Sequence, residues 1–151
     1  MITHLNKDEA RAQLRRGRIG HLGCIVGGDP YVLPVNYIFE DNFIYIHSLP
    51  GRKIEAMRSN GRVCLQVDDI ESQLKWTSVI ALGKFEEIES PAERASILDR
   101  FFARFSGPTP VESKIAEGTQ SPNIVVFRIR IDRISAIGSG DQDTITDLSF
   151  G

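Results

Sequence analysis

Period-two alternation of apolar and polar residues dominates this chain and restricts it to a sheet of short strands. In "RVCLQV", residues 62–67, Val63, Leu65 and Val67 fall on one side and Cys64 and Gln66 on the other. "NIVVFRIRIDRISAIG" sets apolar residues against Arg128, Arg130 and Asp132 in the same rhythm. Four more runs read as strands: "RIGHLGCIV", "YVLPVNYIF", "FIYIHS" and "WTSVIALGKFEEI". The turns "GGDP" and "EDN" join the first three into an expected antiparallel meander. "DDIESQLK" is polar and is expected as a loop or bulge, and Gly83 marks a bend where a sheet must curl.

Helical spacing occurs in three places. Asn6 with Glu9 forms a capping-box start for "KDEARAQLRR", which stops at Gly17. A short helix follows "HSLPG", with Ile54 and Met57 on one face. Pro91 opens a third, whose apolar stripe is Ile97, Leu98, Phe101, Phe102 and Phe105, and "SGPTP" breaks it. Residues 111–120 are ambiguous, and 138–151 is expected to be mobile or to pack on a neighbour. Six antiparallel strands with peripheral helices predict a mainly β chain, a small closed β-barrel forming one domain over 1–151.

Charge and cysteine usage exclude several classes. A net charge of −2 does not suit a surface that binds by neutralising nucleic-acid phosphates. Cys24 and Cys64 belong to no CxxC pair and read as free buried thiols, as in a reducing cytoplasm. No apolar run reaches membrane-spanning length and the N-terminus has no signal-like apolar core, so a soluble cytoplasmic protein is expected. His4, His21 and His47 show no metal-ligand spacing, so no metal site is expected.

Three stretches carry candidate chemistry. In "HSLPGRK" a strand ends at His47 and Ser48, and a helix begins near Arg52 and Lys53. Free amides at the helix start, two cations and a hydroxyl are what a phosphate monoester requires, although solvated cations at a turn have the same sequence. In "LPVNYIF", Pro34 demands a strand edge or bulge, and Asn36 shares its face. Such an amide can read the edge of a planar heterocycle, or simply be an exposed edge residue. In "KWTSVIALG", Trp76 and Ser78 share a face that suits a flat aromatic ligand, or a core or subunit contact.

In this order these segments resemble the FMN-binding split-barrel family related to pyridoxamine 5′-phosphate oxidase, particularly its small nitroimidazole-resistance (Nim-type) members. The run P-V-N-Y followed by I-H-S-x-x-G-R-K carries the resemblance, which covers most of the chain. It implies a six-stranded antiparallel split barrel, a homodimer, and FMN in the groove between subunits. It puts the phosphate near Ser48, Arg52 and Lys53, and the ring along Pro34, Val35, Asn36 and Tyr37 and beside Ile46 and His47. Trp76, Ser78 and Val79 would line the same cavity, some from the second subunit. Two features depart from the family pattern. "AIGSGDQD" lacks the cation that relatives often carry after the last strand, and the substrate-binding Arg and His pattern of true pyridoxamine phosphate oxidases is not evident.

The expectation is therefore an FMN-dependent oxidoreductase passing electrons from a reduced nicotinamide to a small acceptor such as a nitroaromatic or quinone. His47, of the residue type that ordinarily changes charge near neutral pH, is the candidate on the substrate side. The alternatives are a flavin- or haem-binding module without turnover, serving as store or sensor, and a dimer that has lost its cofactor.

Overall fold

The computed structural model describes residues 2–105 and 123–140. The expectations for 106–122 and for the acidic stretch from 141 onward lie outside the described residues. In chain order the elements are β1 (Ile2–His4), α1 (Lys7–Arg16), β2 (Ile19–Val26), β3 (Asp29–Asn36), β4 (Ile38–Glu40) and β5 (Phe43–Ser48). There follow α2 (Arg52–Ser59), β6 (Arg62–Ser72), β7 (Lys75–Glu87), α3 (Pro91–Arg104) and β8 (Val125–Ser139).

The strands form one antiparallel sheet in the order β3-β2-β6-β7-β8-β5-β4, with β1 paired to β8 outside that path. Among the described residues eight strands are present rather than six. β1 is too short for its alternation to show, and "YVLPVNYIF" is two strands instead of one. The break falls at Tyr37. Its side chain is fully buried, its hydroxyl donates to the Leu14 carbonyl at 2.7 Å, and its N–H donates to the Arg18 carbonyl at 3.3 Å. Burial pushes the phenol well above its usual pKa. The pinned residue turns the chain from one end of the sheet path to the other. The expected meander is thus corrected to two separate hairpins, β2–β3 and β4–β5.

The barrel is split, not closed. Among the described residues β3 and β4 end the path without pairing to each other, so the chain at Tyr37, rather than a hydrogen-bonded ladder, joins the two ends. "DDIESQLK" also differs from expectation: β6 runs on to Ser72 and pairs with β7 across a bulge near Ile70 and Ser72. That extension is polar because most of it is exposed, which hides strand from a hydrophobic pattern. β8 in turn runs to Ser139, through the start of the stretch expected to be mobile.

Other expectations hold. Asn6 and Glu9 form the capping box on α1, and Ser90 caps α3 with Pro91 in its first turn. At Gly83 the β7–β8 register shifts, and a Cβ there would stand 2.1 Å from the Arg130 carbonyl oxygen, a distance only glycine tolerates. The main core fills the barrel with Leu22, Ile44, Ile46, Leu65, Val79 and Phe127 among others, closed by Leu14 of α1 and by Ile54 and Met57 of α2. A second cluster lies between α3 and the outside of β5 and β8, built from Tyr45, Ile97, Phe101, Phe105 and Val126. No helix among the described residues is long and apolar enough to cross a membrane.

Candidate functional site

The expected ligand residues gather at two places. The first is a corner where β5 hands over to α2. Ser48 is the last residue of β5, buried beside the barrel end, and Lys53 reaches back to donate to its hydroxyl at 2.6 Å. The Ser48 hydroxyl donates in turn to the Leu49 carbonyl at 3.0 Å. α2 crosses β2, so Lys53 also lies close to the Cys24 thiol. Burial lowers the lysine's pKa, with Cys24 opposing the shift, and burial raises that of Cys24.

Arg52 extends to the β2–β3 turn, where its Nη2 would lie 3.5 Å from a Cβ at Gly27. Gly27 and Gly28 both hold positive φ, so this turn is bare backbone and leaves the guanidinium uncovered. Among the described residues neither Arg52 nor Lys53 has a carboxylate within 4 Å. Gly51, the residue that starts α2, offers no side-chain cap, so the first-turn amides have no side-chain acceptor. Two cations and open amides converge beside the Ser48 hydroxyl, with no carboxylate among the described residues. That donor set fits a phosphate dianion.

The second place is the outward face of the sheet across β3, β2, β6 and β7. Register sets Pro34 opposite His21, His21 opposite Gln66, and Gln66 opposite Ile80, so these four form one row. In the flanking rows Asn36 stands opposite Ile19, Asp68 opposite Ser78, and Ile70 opposite Trp76. The "LPVN" and "WTS" stretches therefore do share a face, separated by two strands. His21 and Gln66, which bridge them, were not picked out by sequence reading. Their alternation placed Gln66 on a polar side, but only the cross-strand register shows what it neighbours. Asn36 is already engaged, its Nδ2 donating to the Arg18 carbonyl at 3.2 Å.

An open cavity of about 710 Å³ continues this face past Gly23 and Cys64, with Tyr31, Leu82, Arg62, Lys84 and Arg133 among its walls. None of Ser48, Arg52 or Lys53 lines it. Cys64 is half-buried here rather than buried, while Cys24 is buried, and both are free thiols.

Four predicted positions do not present side chains to either place. Tyr37, Ile46 and Val79 have no exposed surface, and Val35 points inward against the core. Period-two alternation puts them on the buried side, so only their backbone is available to a ligand. His47 is also turned away from Ser48. It packs edge-on to Phe101 of α3, with ring centroids 4.5 Å apart, in the cluster outside the barrel. The strand that carries Ser48 to the corner necessarily carries its neighbour to the opposite face.

Known proteins share this fold. A FAD-binding protein from Mesorhizobium loti superposes with a TM-score of 0.72 at 30% identity, over 93% of this chain and 99% of that one. A candidate 5-nitroimidazole antibiotic resistance protein from Bacteroides thetaiotaomicron shares the fold, with a TM-score of 0.71 at 21% identity, over 91% and 87% of the two chains. An uncharacterized protein from Rhizobium meliloti is 32% identical over 102 residues, 68% of this chain, and the chain spans 66% of that relative's length. The family described as pyridoxamine 5′-phosphate oxidase matches residues 6–137, and the chain belongs to it.

Proposed function

We propose that this member of the pyridoxamine 5′-phosphate oxidase family is an FMN-dependent oxidoreductase that reduces a small acceptor such as a nitroaromatic or quinone, using a reduced nicotinamide as donor. The observation that carries the reading is the pair Arg52 and Lys53, held at the start of α2 without a carboxylate among the described residues. The name of the M. loti relative supports a flavin ligand. Bound flavin would supply the electron transfer, and the chain supplies binding, orientation and exclusion of water.

Lys53 and Arg52 offset the phosphate charge, and Ser48 orients the lysine through its 2.6 Å hydrogen bond. The outward face offers the ring an apolar bed from Pro34, Ile19 and Ile80, with Trp76 and Ser78 farther along. Within one chain, Ser48 and Lys53 lie on the barrel-interior side of β2, and Pro34, Asn36 and Ser78 lie on its outer side. A second copy resolves this, with the cofactor held between a corner and a face. The face favours such pairing, because it exposes Ile19 and Val32 and carries Arg62, Lys84 and Arg133 toward one end and Asp68 toward the other. A two-fold axis would bring its basic end onto its acidic end.

A store or sensor without turnover is the second reading. It is favoured by the position of His47 against Phe101, which leaves the expected substrate-side histidine outside the ligand face. Absorbance of the purified protein, with mass analysis of the released ligand, tests flavin binding. Bleaching of the flavin bands by NADH or NADPH, and their return on adding a quinone, separates the oxidoreductase from the store.

A further inference from the structure

Gln66 sits at the centre of a hydrogen-bonded chain on the outward face. Its Nε2 donates to the Ser78 hydroxyl at 3.0 Å and to the Asp68 Oδ2 at 3.3 Å. An amide nitrogen has two hydrogens, and both are used here. The carboxylate of Asp68 can only accept, so turning the amide over would set its carbonyl oxygen against a negative charge. Gln66 is thereby oriented with Oε1 toward His21, 3.1 Å from Nδ1. A carbonyl oxygen only accepts, so Nδ1 carries the hydrogen and the neutral ring keeps its lone pair on Nε2. Among the described residues Nε2 has no hydrogen-bond partner.

His21 is half-buried in the middle of the row Pro34–His21–Gln66–Ile80, one step along β2 from Gly23 in the cavity wall. Its apolar neighbours on this face are Pro34 across the strand pair and Ile19 along β2, which border the edge of a flat ring. Asp68 orients the chain by accepting from the Gln66 amide. The arrangement is a directed hydrogen-bond acceptor with apolar neighbours.

We propose that His21 is a ligand-binding residue of this face, its Nε2 accepting a hydrogen bond from the imide N–H of an isoalloxazine ring, with Gln66 as the positioning residue that fixes its tautomer. The imide is the one N–H group on an oxidised flavin ring, so an acceptor-only group at this place selects for it. The inference rests on the flavin reading above and names the atom pair that reading leaves open.

The test compares FMN with FMN methylated at the imide nitrogen, titrated by fluorescence into the wild-type protein, His21→Ala and Gln66→Leu. The wild type is expected to prefer FMN by roughly tenfold, about what one buried hydrogen bond contributes. His21→Ala should bind both within twofold of each other, and Gln66→Leu should lie between. Side-chain ¹⁵N spectra of the ligand-free wild type should show Nδ1 protonated, and FMN should shift the Nε2 resonance. These spectra need no variant, so the tautomer is checked even if a substitution unfolds the chain. If FMN binds but the wild type and His21→Ala discriminate equally, or if Nε2 is the protonated atom, the assignment of His21 fails and flavin binding stands. If the wild type binds neither flavin, the underlying reading fails as well.

Discussion

The two ends of α2 treat their cations in opposite ways. At its C-terminal end Arg58 meets the negative pole of the helix and donates to both oxygens of Glu87, at 2.7 and 3.0 Å, and to Glu55. At its N-terminal end Arg52 and Lys53 face the positive pole, have no carboxylate within reach among the described residues, and follow an uncapped glycine. Lys53 is also partly desolvated, which lowers its pKa. One end is electrostatically complete and the other is not. A cation that costs the fold something and meets no carboxylate among the described residues points to a group that the fold does not itself contain.

Removing the N-terminal pair tests this contrast with the largest expected effect. Arg52→Ala with Lys53→Ala should weaken FMN binding by roughly 100-fold or more, taking ~1.5–3 kcal/mol for each charge-assisted hydrogen bond. Its melting temperature should stay near that of the wild type. Arg58→Ala should do the reverse, lowering the melting temperature while leaving FMN affinity unchanged. Isothermal titration and thermal melts on the same samples read both quantities.

Tyr37 separates core from site in the same manner. The resemblance placed it along the ring, whereas the structure buries it and spends its hydroxyl on Leu14. Tyr37→Phe should cost about 1–2 kcal/mol in urea unfolding and leave FMN affinity within twofold. A large loss of affinity without a loss of stability would return Tyr37 to the site.

What the residues disclosed in advance follows one physical line. Local signals were legible, because a capping box, a proline at a helix start and a Gly-Arg-Lys turn act within a few residues. The corner at Ser48, Arg52 and Lys53 was therefore readable. The break at Tyr37 was not, since a tyrosine within "VNYIF" fits a strand until its partners Leu14 and Arg18 are known. His21 and Gln66 were missed for a related reason. Their alternation is visible, but which strand lies beside which is set by long-range pairing, and a row across four strands has no signature along the chain. His47 shows the same limit from the other side: correctly placed on its strand, it faces α3.

A smaller effect sharpens the comparison in the protein without ligand. Lys53→Met keeps the volume and removes the desolvated charge, so it should raise the melting temperature by on the order of 1–2 °C. Arg58→Met should lower it. A stabilised variant that no longer binds flavin would identify Lys53 as a residue that serves its ligand and not the fold.

The smallest expected effect is in pH. Because the folded, ligand-free protein holds the Lys53 proton less firmly than the unfolded chain, its stability should rise with pH between the lowered pKa and the ordinary value of 10.5. In the proposed complex the charged lysine faces the phosphate, so FMN affinity should fall as pH rises through the lowered pKa. Lys53→Arg, which stays charged, should move that loss to higher pH. Titrations at a series of alkaline pH values give the profile.

The corner is most directly tested by comparing FMN with riboflavin, which has the same ring and no phosphate. The wild type should bind FMN at least about 100-fold more tightly than riboflavin, the sum of two charge-assisted contacts, and the Arg52→Ala, Lys53→Ala variant should bind both alike. Equal affinity of the wild type for the two would show that Arg52 and Lys53 hold no phosphate.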